Sequence, residues 1–162
     1  MNFGIICVSD RCSQGLCQDK SGPCIKELLL PLGKVNQYEI VPDETEIIEK
    51  VLIFMCDDEK LDVVFTTGGT GFAKRDVTPE ATLNVIEKNC PGISEAIRLK
   101  SFAVTPKAML SRAVSGIRKD TLIINLPGSP KAVKESLEII LPVLSHAVEI
   151  IKGTGGTCGG NY

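Results

Sequence analysis

The chain opens on an unbroken apolar run, Phe3 to Val8, that stops at Ser9-Asp10-Arg11. A run of that length without polar alternation predicts a strand covered on both faces. A polar loop follows. Ser21-Gly22-Pro23 then opens a helix that ends near Leu32-Gly33, with proline just inside the start and glycine just past the end. Residues 35–41 read as a second strand closed by Pro42-Asp43, and Ile47, Ile48, Val51, Leu52 and Met55 recur at helical spacing after it. A third strand spans Asp62 to Thr66 and runs straight into Thr67-Gly68-Gly69-Thr70-Gly71. Thr78-Pro79-Glu80 marks another helix start, with Thr78 as the expected N-cap. Pro91-Gly92 separates that helix from one over residues 93–103, and residues 113–118 suggest an extra strand. Leu122 to Leu126 is an apolar strand ending in Pro127-Gly128-Ser129-Pro130. The final helix places Val133, Leu137, Ile140, Leu141, Leu144, Val148 and Ile151 on one face, and Pro142 is expected to bend it.

Strands alternating with helices predict an α/β domain: a mostly parallel sheet with helices on both faces. No linker or internal repeat divides the 162 residues, so residues 1–152 read as one domain. Residues 153–162 are half glycine and are expected to form a flexible tail.

Composition narrows the function classes. The formal net charge of −2 and the lack of a dense Lys/Arg run argue against nucleic acid as a partner. No apolar stretch has the length of a membrane helix, and no charged segment followed by an apolar one starts the chain. Seven cysteines cannot all pair, which favours a reducing, cytoplasmic setting. Cys7, Cys12, Cys17 and Cys24 crowd together, but without a CxxC pair they read as buried or incidental thiols rather than metal ligands.

The chemistry is expected where three apolar strands end in polar or glycine-rich loops: after Val8, after Thr66 and after Leu126. In open α/β sheets ligands bind beyond the carboxyl ends of the strands, and helix starts there favour anions. These features point to a phosphorylated ligand. The standard fingerprints are absent, because Lys74 stands where GxGxxG needs its third glycine and no GxxxxGK[ST] exists. Gly68 to Gly71 is therefore either a tight turn requiring positive φ or a phosphate-binding loop. Asp43 and Asp76 are either solvated loop carboxylates or a pair converging on Mg²⁺, which takes one or two carboxylates together with substrate phosphates. Arg75 could neutralise phosphate or simply sit beside Asp76. His146, the single histidine, has no nucleophile near it in sequence and is given no role.

Taken together, several segments resemble one family: Val8-Ser9-Asp10-Arg11 with Asp19-Lys20-Ser21-Gly22-Pro23, Val41-Pro42-Asp43-Glu44, and Thr67-Gly68-Gly69-Thr70-Gly71-Phe72. Arg75-Asp76-Val77-Thr78-Pro79-Glu80-Ala81-Thr82, Ala108-Met109-Leu110-Ser111-Arg112 and Asn125-Leu126-Pro127-Gly128-Ser129-Pro130 continue the series in order. They look like the molybdopterin adenylyltransferases: bacterial Mog-type proteins and the G domains of plant Cnx and gephyrin. The resemblance implies a three-layer α/β/α domain, a homotrimer, and transfer of AMP from Mg-ATP to molybdopterin. It implies that Asp43 and Asp76 handle nucleotide and metal. Ser9, Asp10, Gly68, Gly69, Thr70, Gly71, Asn125, Pro127, Gly128 and Ser129 would line the nucleotide pocket, and Ser111, with Arg75, the molybdopterin end. A separate molybdenum insertase would be a further partner. A non-catalytic binding module or a gephyrin-like scaffold is the competing expectation.

Overall fold

The computed structural model describes residues 1–154, so the expected flexible tail lies outside the described residues from position 155 onward. Six strands form one sheet: β1 (Asn2–Val8), β2 (Lys34–Val41), β3 (Val63–Thr67), β4 (Lys88–Asn89), β5 (Ser115–Arg118) and β6 (Thr121–Leu126). Their spatial order is β2-β1-β3-β6-β5-β4. The first four run parallel, while β5 is antiparallel to β6 and β4 antiparallel to β5. The register carries a consequence for function. Cys7 lies opposite Thr67, and Thr67 opposite Leu126, so β1, β3 and β6 finish level with one another. The loops that follow therefore emerge side by side.

Helices α1 (Asp10–Ser13), α2 (Ser21–Leu29), α3 (Thr45–Ile53), α4 (Thr78–Val85), α5 (Pro91–Val104) and α6 (Pro130–Ile151) make the connections. Alternation along each strand sends side chains to opposite faces. Phe3, Ile5, Val63, Phe65, Leu122 and Ile124 pack with Ile25 and Leu29 of α2, Ile97 of α5 and Leu137 of α6. Ile6, Val8, Val64 and Ile123 face the other way, onto Ile48 and Leu52 of α3 and Ala81 and Val85 of α4. The expected three-layer α/β/α architecture is thereby realised. Both faces of the central strands are dry, which is why β3 and β6 carry no exposed residue.

Local departures from the sequence reading have physical causes. The two-residue β4 was not expected, since two exposed polar residues carry no strand pattern. Thr78 does not cap α4 from outside; it is the helix's first residue, and its hydroxyl donates instead to the Gly68 carbonyl at 2.9 Å. Pro142 lies inside α6, which continues past it to Ile151. Cys12 and Cys17, expected as free thiols, are joined in a disulfide, because the single turn of α1 and Gly15 at φ +73° bring their Cα atoms to 4.7 Å. Cys7 and Cys56 are buried free thiols, both pushed up to about 12 chiefly by burial.

Candidate active site

Beyond the level strand ends, the chain from Thr67 to Gly71 reverses sharply. Gly68 and Gly69 have φ of +98° and +62°, a region side chains rarely adopt. Space forbids a side chain as well. A Cβ on Gly68 would collide with the Val8 carbonyl, and one on Gly69 would strike the Thr78 hydroxyl and come 3.0 Å from Asp43 Oδ1. The turn is thus packed directly against β1, α4 and Asp43.

Asp43, just past β2, is locked to Asp10, just past β1, by a reciprocal pair of bonds. The Asp10 N–H donates to Asp43 Oδ2 at 2.8 Å, and the Asp43 N–H donates to Asp10 Oδ1 at 3.0 Å. Arg75 forks onto Asp10 at 3.0 and 2.9 Å and reaches Glu44 at 2.8 Å. Asp76 accepts from the Ala73 N–H at 2.9 Å and lies against Gly71, where a Cβ would stand 2.9 Å from its Oδ2. Asp43 beside Gly69 and Asp76 beside Gly71 therefore meet at the same turn.

The electrostatics reflect that meeting. Burial, followed by the neighbouring charges of Asp10 and Asp76, raises Asp43 above the ordinary carboxylate value, against the opposing pull of the Asp10 N–H and Arg75. Asp10 moves the other way, held down mainly by its bonds from Arg75. Oδ1 of Asp43 and Oδ1 of Asp76 accept no hydrogen bond among the described residues. Two free carboxylate oxygens in a patch of mutual repulsion suit a hard divalent cation. Among the described residues no cluster of three or more acidic, cysteine or histidine side chains forms a complete cage.

Two clefts flank the turn. One, of about 340 Å³, is lined by Ser9, Asp19, Ser21, Thr67, Gly68 and Gly128. The other, of about 290 Å³, is lined by Thr70, Gly71, Arg98, Lys107, Ser111 and Pro127, among others. The loops after β3 and β6 form the ridge between them, and Gly68 touches Gly128 closely enough that a Cβ on the latter would be 3.4 Å from the Gly68 Cα.

The remaining sequence-named residues fall into distinct roles. Ser9 and Ser129 cap α1 and α6, accepting from Cys12 and Ala132 at 3.3 Å each. Ser111 is half-buried and accepts from the Ala113 N–H at 3.3 Å. Arg75, expected at the molybdopterin end, stands over Asp10 and Glu44 and lines neither cleft. Asn125, expected in the nucleotide pocket, is fully buried. Its amide donates to Thr66 and Thr82 at 2.9 Å each and accepts from the Val114 N–H at 3.2 Å, so it braces the sheet beneath the ridge.

Asp19 and Arg112 stand in the sequence motifs without an assigned role, and both help build the site. Asp19 accepts from the Ser21 and Gly22 amides at 2.8 and 3.0 Å and from the Tyr38 hydroxyl, fixing the start of α2 at the cleft. An acidic residue just ahead of a Ser-Gly-Pro helix start was the available signal. Arg112 binds the carbonyls of Gly71 and Asp76. No local pattern marks a partner forty residues away.

A family model described as "Probable molybdopterin binding domain" matches residues 4–146. The chain belongs to that family. A Helicobacter pylori protein named molybdopterin adenylyltransferase is 48% identical over 158 residues, spanning 94% of this chain and 89% of its own length. The Drosophila melanogaster molybdenum cofactor synthesis protein cinnamon is 48% identical over 153 residues, 93% of this chain but 26% of that protein. The crystal structure of the molybdopterin biosynthesis enzyme MoaB from Thermus thermophilus superposes with a TM-score of 0.89 at 48% identity, covering 94% of this chain and 96% of that one.

Proposed function

We propose that this chain is a molybdopterin adenylyltransferase, which moves AMP from ATP to the terminal phosphate of molybdopterin in molybdenum-cofactor synthesis. The observation that carries the reading is the meeting of Asp43 and Asp76 at one glycine turn between two clefts, in a chain nearly half identical to proteins of that name. A bisubstrate reaction needs two sites that share a border. The cleft with Ser9, Gly68 and Gly128 takes the nucleotide, and the cleft with Ser111 takes molybdopterin.

In the reaction an oxygen of the molybdopterin phosphate attacks the α-phosphorus of ATP. The new P–O bond forms as the bond to the β-phosphate breaks, and pyrophosphate leaves with the electron pair. The attacking phosphate is already largely ionised, its second pKa being about 6, so no protein base is required. Positioning and charge neutralisation are then the main tasks. Backbone N–H groups of Gly69 to Gly71 and of Gly128 and Ser129 orient phosphate oxygens. The free oxygens of Asp43 and Asp76 would hold Mg²⁺, which neutralises the triphosphate when bound. Arg75 keeps Asp10 ionised and the acidic patch in place.

The homotrimer belongs to the same proposal; Leu99, Phe102, Val104 and Met109, all strongly exposed, offer apolar area for subunit contact. The reaction draws on ATP, which suits the cytoplasm, and its product would pass to a separate molybdenum insertase. No helix among the described residues is long and apolar enough to cross a membrane.

The test is adenylyl transfer by the purified chain, given Mg-ATP labelled at the α-phosphate and molybdopterin. Labelled adenylated molybdopterin and pyrophosphate are expected in equal amounts. Asp76→Asn should lower turnover by about a hundredfold or more while its circular dichroism stays native. Wild-type turnover in that variant removes Asp76 from the mechanism. Tight molybdopterin binding without any transfer would instead make the chain a holding module.

A further inference from the structure

The segment from Gly71 to Asp76 carries both Arg75 and Asp76, yet it stands away from the core. Phe72 is 68% exposed, and residues 73–75 are exposed as well. Inside the segment, the Asp76 N–H donates to the Ala73 carbonyl at 3.0 Å and the Ala73 N–H to Asp76 Oδ2 at 2.9 Å. Those bonds close the turn on itself without fixing where it stands.

Arg112 fixes it. Its Nε–H donates to the Gly71 carbonyl at 2.7 Å and its Nη2–H to the Asp76 carbonyl at 2.6 Å, gripping both ends of the segment. Nη1 pairs with Glu80 on α4, and the Arg112 backbone N–H donates to the Thr70 carbonyl at 2.9 Å. One side chain thus ties the segment to the glycine turn and to α4 together.

We infer that Arg112 is a positioning residue that sets Asp76 in place for metal-assisted adenylyl transfer by holding the Gly71 and Asp76 carbonyls. The inference rests on the proposed function for its catalytic part. Two features favour positioning over direct charge. Glu80 already neutralises the guanidinium, so little of its field is left for a phosphate. A planar fork of donors also serves three acceptors at fixed places, whereas an ammonium is a single point charge on a flexible stem. Lysine would therefore preserve charge and lose the grip.

The experiment compares wild type, Arg112→Lys and Glu80→Gln. Amide hydrogen exchange on the free protein reads the segment without any turnover. In Arg112→Lys the Ala73 and Asp76 amides should exchange about tenfold faster or more, with β3 and β6 unaffected. In the transfer assay the same variant should need about tenfold more Mg²⁺ for half-maximal rate and lose about tenfold or more in kcat, because small misplacements of a catalytic group are costly. Its KM for molybdopterin should move little. Glu80→Gln, which spares both carbonyl bonds, should show a smaller effect on exchange at Ala73 and Asp76. Wild-type exchange and Mg²⁺ dependence in Arg112→Lys overturn the inference. So does equal loosening in Glu80→Gln, which would assign the work to the ion pair. If the wild type transfers no AMP at all, the proposed function fails, and the exchange data alone still decide whether Arg112 holds the segment.

Discussion

Asp43 is the residue at which stability and the proposed function pull apart. Its folded form holds a proton more tightly than the unfolded chain does, because burial and two neighbouring acids penalise the charge. The group therefore favours folding at pH below the unfolded value of 3.8 and loses that advantage as pH rises through its raised folded value. Near neutrality it sits ionised where the fold disfavours it. Asp43→Asn should accordingly raise Tm by a few degrees at neutral pH, with the gain shrinking as the melts are repeated toward pH 4, while transfer activity is lost. A lower Tm for the variant at neutral pH would contradict this account. Asp10 has the opposite sign: its contribution is present above 3.8 and disappears as acid releases it from Arg75. Asn125 shows what residue type alone leaves undecided. The same Asn-Leu-Pro-Gly string could face a ligand or the interior, and only the pairing of β6 beside β3, with Thr82 above, turns its amide inward.

Among the elements, the Thr67–Gly71 turn is the one least open to change. The tight-turn reading of its glycines holds, since the positive φ values of Gly68 and Gly69 let the chain pass between Val8, Thr78 and Asp43. Gly69→Ala should cost about 2 kcal/mol in urea unfolding, from left-handed backbone and the collision with Thr78 together. Gly92, at the start of α5 with open space around it, is the matched control, and alanine there should be neutral or slightly stabilising. Equal costs at the two positions would mean that the turn is not specially packed. Most strands and helices were readable to within a residue or two because each carries a long periodic or continuous apolar pattern. β4 and the disulfide loop were not, since a two-residue exposed strand and a cysteine pair five apart depend on where the neighbouring chain happens to pass.

At the scale of the whole molecule, the flush ending of β1, β3 and β6 makes two clefts share one ridge. The candidate active end is therefore a property of register rather than of any single loop. The opposite design question is association. Leu99, at 73% exposure, together with Val104 and Met109, makes α5 and the turn after it an expensive surface to leave wet. Sedimentation equilibrium should return a mass near three times the 17.4 kDa of the chain. A Leu99→Glu variant should shift that mass downward; a wild-type monomer at all concentrations would remove the trimer from the proposal.

The sequence by itself determined the layer architecture and the strand-end placement of the loops, because buried strands, helix starts and glycine turns are local patterns, while the ordered set of motifs carried the resemblance to the family. Tertiary structure alone decided that Asp43 and Asp76 meet, that Asn125 turns inward, that Arg75 lies over Asp10 and that Arg112 grips a distant turn. Those contacts join residues roughly thirty to sixty-five positions apart. Their geometry comes from strand order and register, which no window of neighbouring residues encodes.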